Sequence, residues 1–480
     1  MFTRMQTLSP QDIDKIHQAT MAILAQTGVA FNDPVSVDLF KKSGFKVDGK
    51  TVFLTEKEVM KAVSQAPPAF TVKALNPQKS VKIGGNDFAL LPGYGAPFVT
   101  EPGGVLRDSL FSDYENFVKL VHGSKYLDMN GFLMVEPNDC SLDVAHLDMF
   151  LSGLVKCDKP LMGTPLSRKA AKDCVELLAV AFGGNDKLMD QPATVSLCNS
   201  LSPLQFSEEM AASIVELARG GQAVCVAALI MTGSSGPITI PGVLALQNAE
   251  ILAGVTLAQL ARPGAPVIYG STSSAMDMKS GSLSIGAPEL SVFTSFTAQI
   301  ADHYKLPSRS GGGLCDSMLT DAQAGAESAL GLFNAINSGI NFVIHAAGIL
   351  GGYISISLEK FILDEEVAGM IKRMIKPTVF DDETIDLASI QKVGPGGHYL
   401  NEPKTFKLCR KELFLTSVMN RANSETWVKN GKMDLEAVAT LKVKERLARY
   451  QAPDFPPSLK KDLMKKAEEL AGGSPLKVKL

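Results

Sequence analysis

Several residues able to do chemistry stand at the ends of apolar runs in this 480-residue chain. His345 follows Asn341-Phe342-Val343-Ile344 and precedes Ala346-Ala347-Gly348, so an imidazole sits where a buried strand reaches the edge of its sheet. A histidine there is a proton carrier, a hydrogen-bond donor or a packed core residue. Arg309, in Ser308-Arg309-Ser310-Gly311-Gly312, carries a guanidinium fork suited to a carboxylate, or to a neighbouring acid. Tyr94 and Phe98 (in Pro92-Gly93-Tyr94-Gly95-Ala96-Pro97-Phe98), Tyr269 and Tyr353 supply aromatic faces near strand ends. A quaternary ammonium has no N–H to donate and is held by ring quadrupoles, although aromatic residues are more often core. Gly311-Gly312-Gly313 lacks the spacing of a phosphate-binding loop; it permits close backbone approach, with the amides of Gly312 and Gly313 as candidate donors to an anion. Of the polar strand-end residues, only Glu136 besides His345 is of a type that can titrate near neutrality.

Other chemistries find no support. The six histidines (17, 122, 146, 303, 345 and 398) form no H-x-x-x-H pair, and the seven cysteines include no C-x-x-C, so no metal bound by this chain is expected. With 47 Lys+Arg against 50 Asp+Glu, the chain lacks the basic surplus of a nucleic-acid binder. The apolar stretch Val243 to Leu260 is interrupted by Gln247, Asn248, Glu250 and Gln259, against a membrane span. The N-terminus has no apolar h-region before Asp12, and a cytoplasmic location is expected.

The elements that must position these residues repeat. Short apolar runs ending in Gly, Ser or Thr recur at Phe88–Gly95, Leu127–Pro137, Pro160–Leu166, Ala193–Ser202, Ala223–Thr232, Pro266–Thr272, Leu306–Leu314 and Asn341–Gly348. Amphipathic segments with helix-start signals, such as Ser112-Asp113-Tyr114-Glu115 and Ser207-Glu208-Glu209, lie between them. Eight strand–helix units predict an α/β fold, a (β/α)₈ barrel over residues 86–375, with a large doubly wound sheet as the alternative. Residues 1–85 read as an α+β cap, and 376–480 as a helical region packed on the barrel. In a barrel the site belongs at the C-terminal ends of the strands, where Tyr94, Glu136, Thr164, Asn199, Thr232, Ser271, Arg309 and His345 fall.

The series Ser308-Arg309-Ser310-Gly311-Gly312, Asp321-Ala322-Gln323-Ala324-Gly325, His345-Ala346-Ala347-Gly348, Tyr353, Glu359-Lys360-Phe361 and Gly394-Pro395-Gly396-Gly397-His398 resembles the trimethylamine methyltransferase family over essentially the whole chain. The resemblance implies a (β/α)₈ barrel that moves a methyl group from a methylated amine to the cobalt of a corrinoid (cobalamin), supplied in trans by a carrier protein. With only standard residues, the chain is similar to the branch lacking pyrrolysine, whose substrates are quaternary amines, and most similar to its glycine betaine enzymes. A quaternary amine leaves as a neutral tertiary amine, which explains the missing acid–base pair. On this reading Tyr94, Phe98 and Tyr353 enclose the trimethylammonium group. His345, with Arg309 or the amides of Gly312 and Gly313, holds the carboxylate or orients the methyl. His398 has two readings, a turn residue or a contact to the corrinoid or its carrier, and a homodimer is possible. Two alternatives stay open: a non-catalytic betaine-binding barrel, and a lyase or hydrolase using Glu136 as base.

Overall fold

A computed structural model describes residues 6–480. Seven parallel strands, β1 (Ala89–Leu90), β2 (Leu161–Met162), β3 (Thr194–Asn199), β4 (Ala223–Ala228), β5 (Val267–Ser271), β6 (Ser308–Gly311) and β7 (Phe342–Ile344), pair in sequence from β2 to β7, and β7 pairs back onto β1. Between β1 and β2 an irregular segment completes the circle: Asp128 N donates to Leu90 O at 2.8 Å, Asn130 N to Pro160 O at 2.8 Å, and Met162 N to Asn130 O at 3.1 Å. The eight expected runs thus close into a barrel, but the second is not a regular strand. Gly131 lies where Met134 and Pro92 leave no room for a Cβ, which suits a kinked stave better than a pleated one.

The strands are nearly continuously buried, as parallel strands covered on both faces must be. Their alternation divides the core. Ile268 and Cys225 belong to the cluster that fills the barrel, whereas Val267, Tyr269 and Val224 pack outward with the helices and the N-terminal cap. One helix, Ile240–Ala261, is long and apolar enough to cross a membrane, yet 83% of its most apolar window is buried here. Its polar residues brace strands and loops: Asn248 binds Thr20, Tyr304 and Tyr269, and Glu250 accepts from Ser200, Ser202 and the Leu204 amide.

The N-terminal cap follows the sequence signals closely. Ser9 and Asp12 form a reciprocal capping box on the helix Pro10–Ala22, and Thr55 with Glu58 does the same for Glu56–Val63. The helix expected to start at Ser112 begins at Phe111 instead. Asp113 is its third residue, accepting the Leu110 amide at 2.9 Å while bound by Arg107, so an acid rather than the Ser112 hydroxyl caps it.

Residues 376–480, expected as one packed helical region, divide in two. Ala439, Val443, Leu463, Ala467 and Ala471, on the helices Leu435–Ala448 and Pro457–Ala471, join the barrel's own core. Residues 376–417 bury no residue at all.

Candidate active site at the barrel mouth

Arg309, His345 and Tyr353 come together at the barrel mouth from strand ends and loops. β6 alternates: Ser308 and Ser310 turn outward to Asn341 and Thr294, so Arg309 between them points into the barrel. Arg309 is 1% exposed. Its Nη1 donates to Thr272 Oγ1 at 3.2 Å, and its Nε is buried without a hydrogen-bond partner. Among the described residues no carboxylate lies within ion-pairing distance of it. Its titratable neighbours Cys225, Tyr353 and Tyr94 are all neutral, since burial pushes the Cys225 thiol up to about 12 and raises both phenols. Burial lowers Arg309 itself. A buried, unpaired guanidinium is costly and needs an anion.

His345 follows β7 directly and adopts a left-handed backbone, φ 60°. Its amide donates to Pro92 O at 3.1 Å, and its Nδ1 accepts the Tyr94 amide at 3.2 Å. Burial, reinforced by Arg309, holds the imidazole well below its ordinary value. The ring is therefore neutral, and with Nδ1 accepting, the proton is assigned to Nε2. Tyr353 stacks edge-on against this ring at a 4.9 Å centroid distance. It too is left-handed, φ 75°, at the end of the run Gly351-Gly352-Tyr353 whose three residues all have positive φ. A non-glycine residue held there costs of order 1–3 kcal/mol, and such strain concentrates at functional sites. The Tyr353 hydroxyl is buried beside Thr272, the residue that accepts from Arg309, but forms no well-aligned hydrogen bond there. Tyr94 and Tyr353 are half-buried.

A four-stranded sheet roofs this mouth: the hairpin Ile349–Leu350/Ser355–Ile356 runs beside Phe98–Glu101, which pairs with Val105–Asp108. Phe98 lies opposite Ser355 on this rim but forms no ring pair with Tyr94, His345 or Tyr353. Below it, Lys360 and Asp364, both fully buried, lock the turn after His345. Lys360 Nζ binds both Asp364 oxygens and Ser328 Oγ at 2.6 Å, and Asp364 accepts the Gly348 amide at 2.8 Å.

Several strand-end residues do other work. Tyr269 and Ser271 face outward, because β5 alternates: the Tyr269 hydroxyl donates to Asn248 at 3.0 Å, and Ser271 bonds Gln247. Thr164 bonds Ala170 O, and Thr232 accepts the Met276 amide. At Gly312 and Gly313 a Cβ would press on Val343, Leu332 and Ala346, so both also serve packing, which leaves the reading of their amides as anion donors untouched. Glu136 is exposed beside Tyr94, raised by partial burial. His398 is exposed in the 376–417 segment. Reading strand ends missed Thr272, one residue past β5, and the Lys360–Asp364 pair, although Lys360 lies within the motif Glu359-Lys360-Phe361. The closest His/Cys/acid grouping among the described residues, His122, Cys157 and Asp158, sits at the opposite end of the barrel; Asp158 is engaged by His122 and Asn76, and burial raises Cys157 to about 12.

The family model described as "Trimethylamine methyltransferase (MTTB)" matches residues 1–469. The chain belongs to the trimethylamine methyltransferase family. Within that family it is 44% identical over 452 residues, 94% of each chain, to the glycine betaine methyltransferase of Desulfitobacterium hafniense (strain Y51). It is 32% identical over 465 residues to the proline betaine:corrinoid methyltransferase of Eubacterium limosum, covering 93% of this chain and 94% of the relative. A trimethylamine methyltransferase MttB of Desulfitobacterium hafniense (strain DSM 10664 / DCB-2) is 29% identical over 468 residues, 96% of this chain and 93% of the relative.

Proposed function

We propose that this chain moves a methyl group from glycine betaine to the Co(I) of a corrinoid borne by a separate carrier protein, releasing dimethylglycine. The observation that carries the reading is Arg309, a buried cation with an orphan Nε and no counter-ion, clustered with Tyr94, His345 and Tyr353. A betaine carries what this arrangement lacks: a carboxylate for Arg309 and the His345 Nε2–H, and a cation with no N–H for the aromatic faces. The 44% relative named for glycine betaine supports the shortest betaine over the larger ring of proline betaine.

The reaction is an in-line displacement. The corrinoid supplies a two-electron nucleophile; the methyl carbon leaves nitrogen for cobalt, and the C–N pair stays on nitrogen as the lone pair of a neutral amine. No proton moves, so a neutral His345 fits a role in binding and not in acid catalysis. Arg309 and His345 fix the carboxylate deep in the barrel and so turn the trimethylammonium toward the mouth, where the accessible faces of Tyr94 and Tyr353 leave a path for the carrier's cofactor. The walls exclude water from the cation.

The test mixes the protein with Co(I) cobalamin and follows its absorbance with glycine betaine, proline betaine, carnitine or trimethylamine. Conversion is expected with glycine betaine and not with trimethylamine, which offers Arg309 nothing. Equal turnover of trimethylamine would refute the Arg309 assignment, and no conversion with any betaine would favour a binding protein.

A further inference from the structure

The second stave of the barrel ends on Glu136, and its backbone is fixed on both sides. The Glu136 amide donates to Ala96 O at 3.1 Å, and its carbonyl accepts Ser109 Oγ at 2.5 Å. Val135 bridges Ala96 in the same register, which sets this end of the stave beside Tyr94 on the first one. The Glu136 side chain is exposed, and among the described residues it has no hydrogen-bond partner and no ion pair. Acids elsewhere on the rim are held: Arg107 binds Glu101 and Asp113, Lys477 binds Asp139, and Asp316 accepts from Ser284 and from the amides of Ile285 and Gly286. Partial burial raises the Glu136 carboxyl, so its ionised form is short of water and of a counter-ion at once.

Tyr94 therefore neighbours two uncompensated charges of opposite sign, Arg309, which is buried, and Glu136, which is exposed. A cation inside, an anion at the rim and a half-buried ring beside both complement a zwitterion that enters carboxylate first.

We infer that Glu136 is a specificity-determining residue for the ammonium end of the substrate: its carboxylate faces the trimethylammonium beside Tyr94 and favours a quaternary cation over an uncharged group of the same shape. The inference rests on the reading of the mouth as a betaine site. Placement at the rim suits the chemistry. The nitrogen loses its positive charge as the C–N pair returns to it, so an anion beside it stabilises the bound substrate more than the transition state. Glu136 thus acts on KM and not on kcat, and at an exposed position water screens the penalty to the displacement. A carboxylate as deep as Arg309 would pair with it and close the site to the substrate's own.

The test measures binding by calorimetry on the full chain without corrinoid, so that no methyl transfer is required. The ligands are glycine betaine and tert-butylacetate, its isostere with an uncharged tert-butyl group in place of the trimethylammonium. Glu136→Gln is expected to weaken glycine betaine about five- to tenfold and to leave tert-butylacetate within about twofold, as loss of one partly screened charge implies. Glu136→Asp is expected to recover part of the loss. In turnover with Co(I) cobalamin the Gln variant is expected to show a raised KM with kcat unchanged or higher. Equal weakening of the two ligands would make Glu136 a structural residue, and unchanged glycine betaine binding would remove it from the ammonium; either overturns the inference and leaves the betaine reading standing. A wild-type chain that binds neither ligand fails the betaine reading itself, and the inference with it.

Discussion

The barrel mouth and the segment 376–417 each leave something unmet, and the two deficits differ in kind. The mouth is buried, its loops held by Asp364 and by hydrogen bonds that the His345 and Ala346 amides donate to the Pro92 and Leu91 carbonyls; what it lacks is one negative charge. The segment lacks no charge and has no core. A missing point charge inside a buried mouth selects a small ligand by chemistry, whereas a missing apolar cover over an extended face selects a macromolecule by shape. Substitutions in the mouth should therefore leave the segment 376–417 unaffected.

Lys360→Met sharpens the contrast most. It strands Asp364 as a buried charge beneath the mouth, which should cost about 3–5 kcal/mol of unfolding free energy, measured by denaturant titration. Lys360→Met with Asp364→Leu removes both charges and should recover most of that loss. If the single variant is as stable as the parent, the pair does not brace the mouth.

Arg309→Met should act in the opposite sense on stability. Methionine fills the volume without an unpaired cation, so the unfolding midpoint should hold or rise, while kcat/KM for glycine betaine falls at least about 100-fold, consistent with about 3 kcal/mol or more for an unpaired buried partner. Activity and stability falling together would make Arg309 a structural residue and break the contrast.

These two residues also show what was legible in the sequence. The barrel was, because parallel strands covered on both faces write continuous apolar runs and helices write their caps; the one stave that failed, 128–131, carries a glycine fixed by its neighbours. Tyr94, Arg309, His345 and Tyr353 were legible because they sit at or just beyond the ends of those runs. Tyr269 was misread since its direction depends on strand parity, which a run without alternation does not reveal. That Arg309 lacks a counter-ion, and that His345 and Tyr353 are left-handed, are properties of the assembled mouth. Residues 376–417 read as ordinary charged helices, because exposure of an apolar side chain is set by what the fold leaves uncovered.

Tyr353→Leu should weaken glycine betaine binding by about tenfold, as loss of a desolvated cation–π contact of roughly 1–2 kcal/mol implies, while leaving the mass in solution unchanged. The measurement is KM alongside sedimentation. An unaltered KM removes the ring from the ammonium site.

The smallest effect concerns pH. Burial and Arg309 lower the imidazole of His345 in the folded chain, whereas the unfolded chain titrates near 6.5. Below that pH the unfolded state binds a proton that the folded mouth refuses, so stability contributed by the neutral ring is complete above about 6.5 and declines as pH falls. Activity should show no step between pH 7 and 8, because His345 is neutral throughout and no proton enters the displacement. Replacement by Gln, which keeps a donor, should flatten the acid-side loss of stability and leave more activity than replacement by Leu. A kcat/KM step near neutrality that vanishes in the Gln variant would mean that His345 takes up a proton during turnover, and the mouth would then be acid–base machinery and not a fixed anion site.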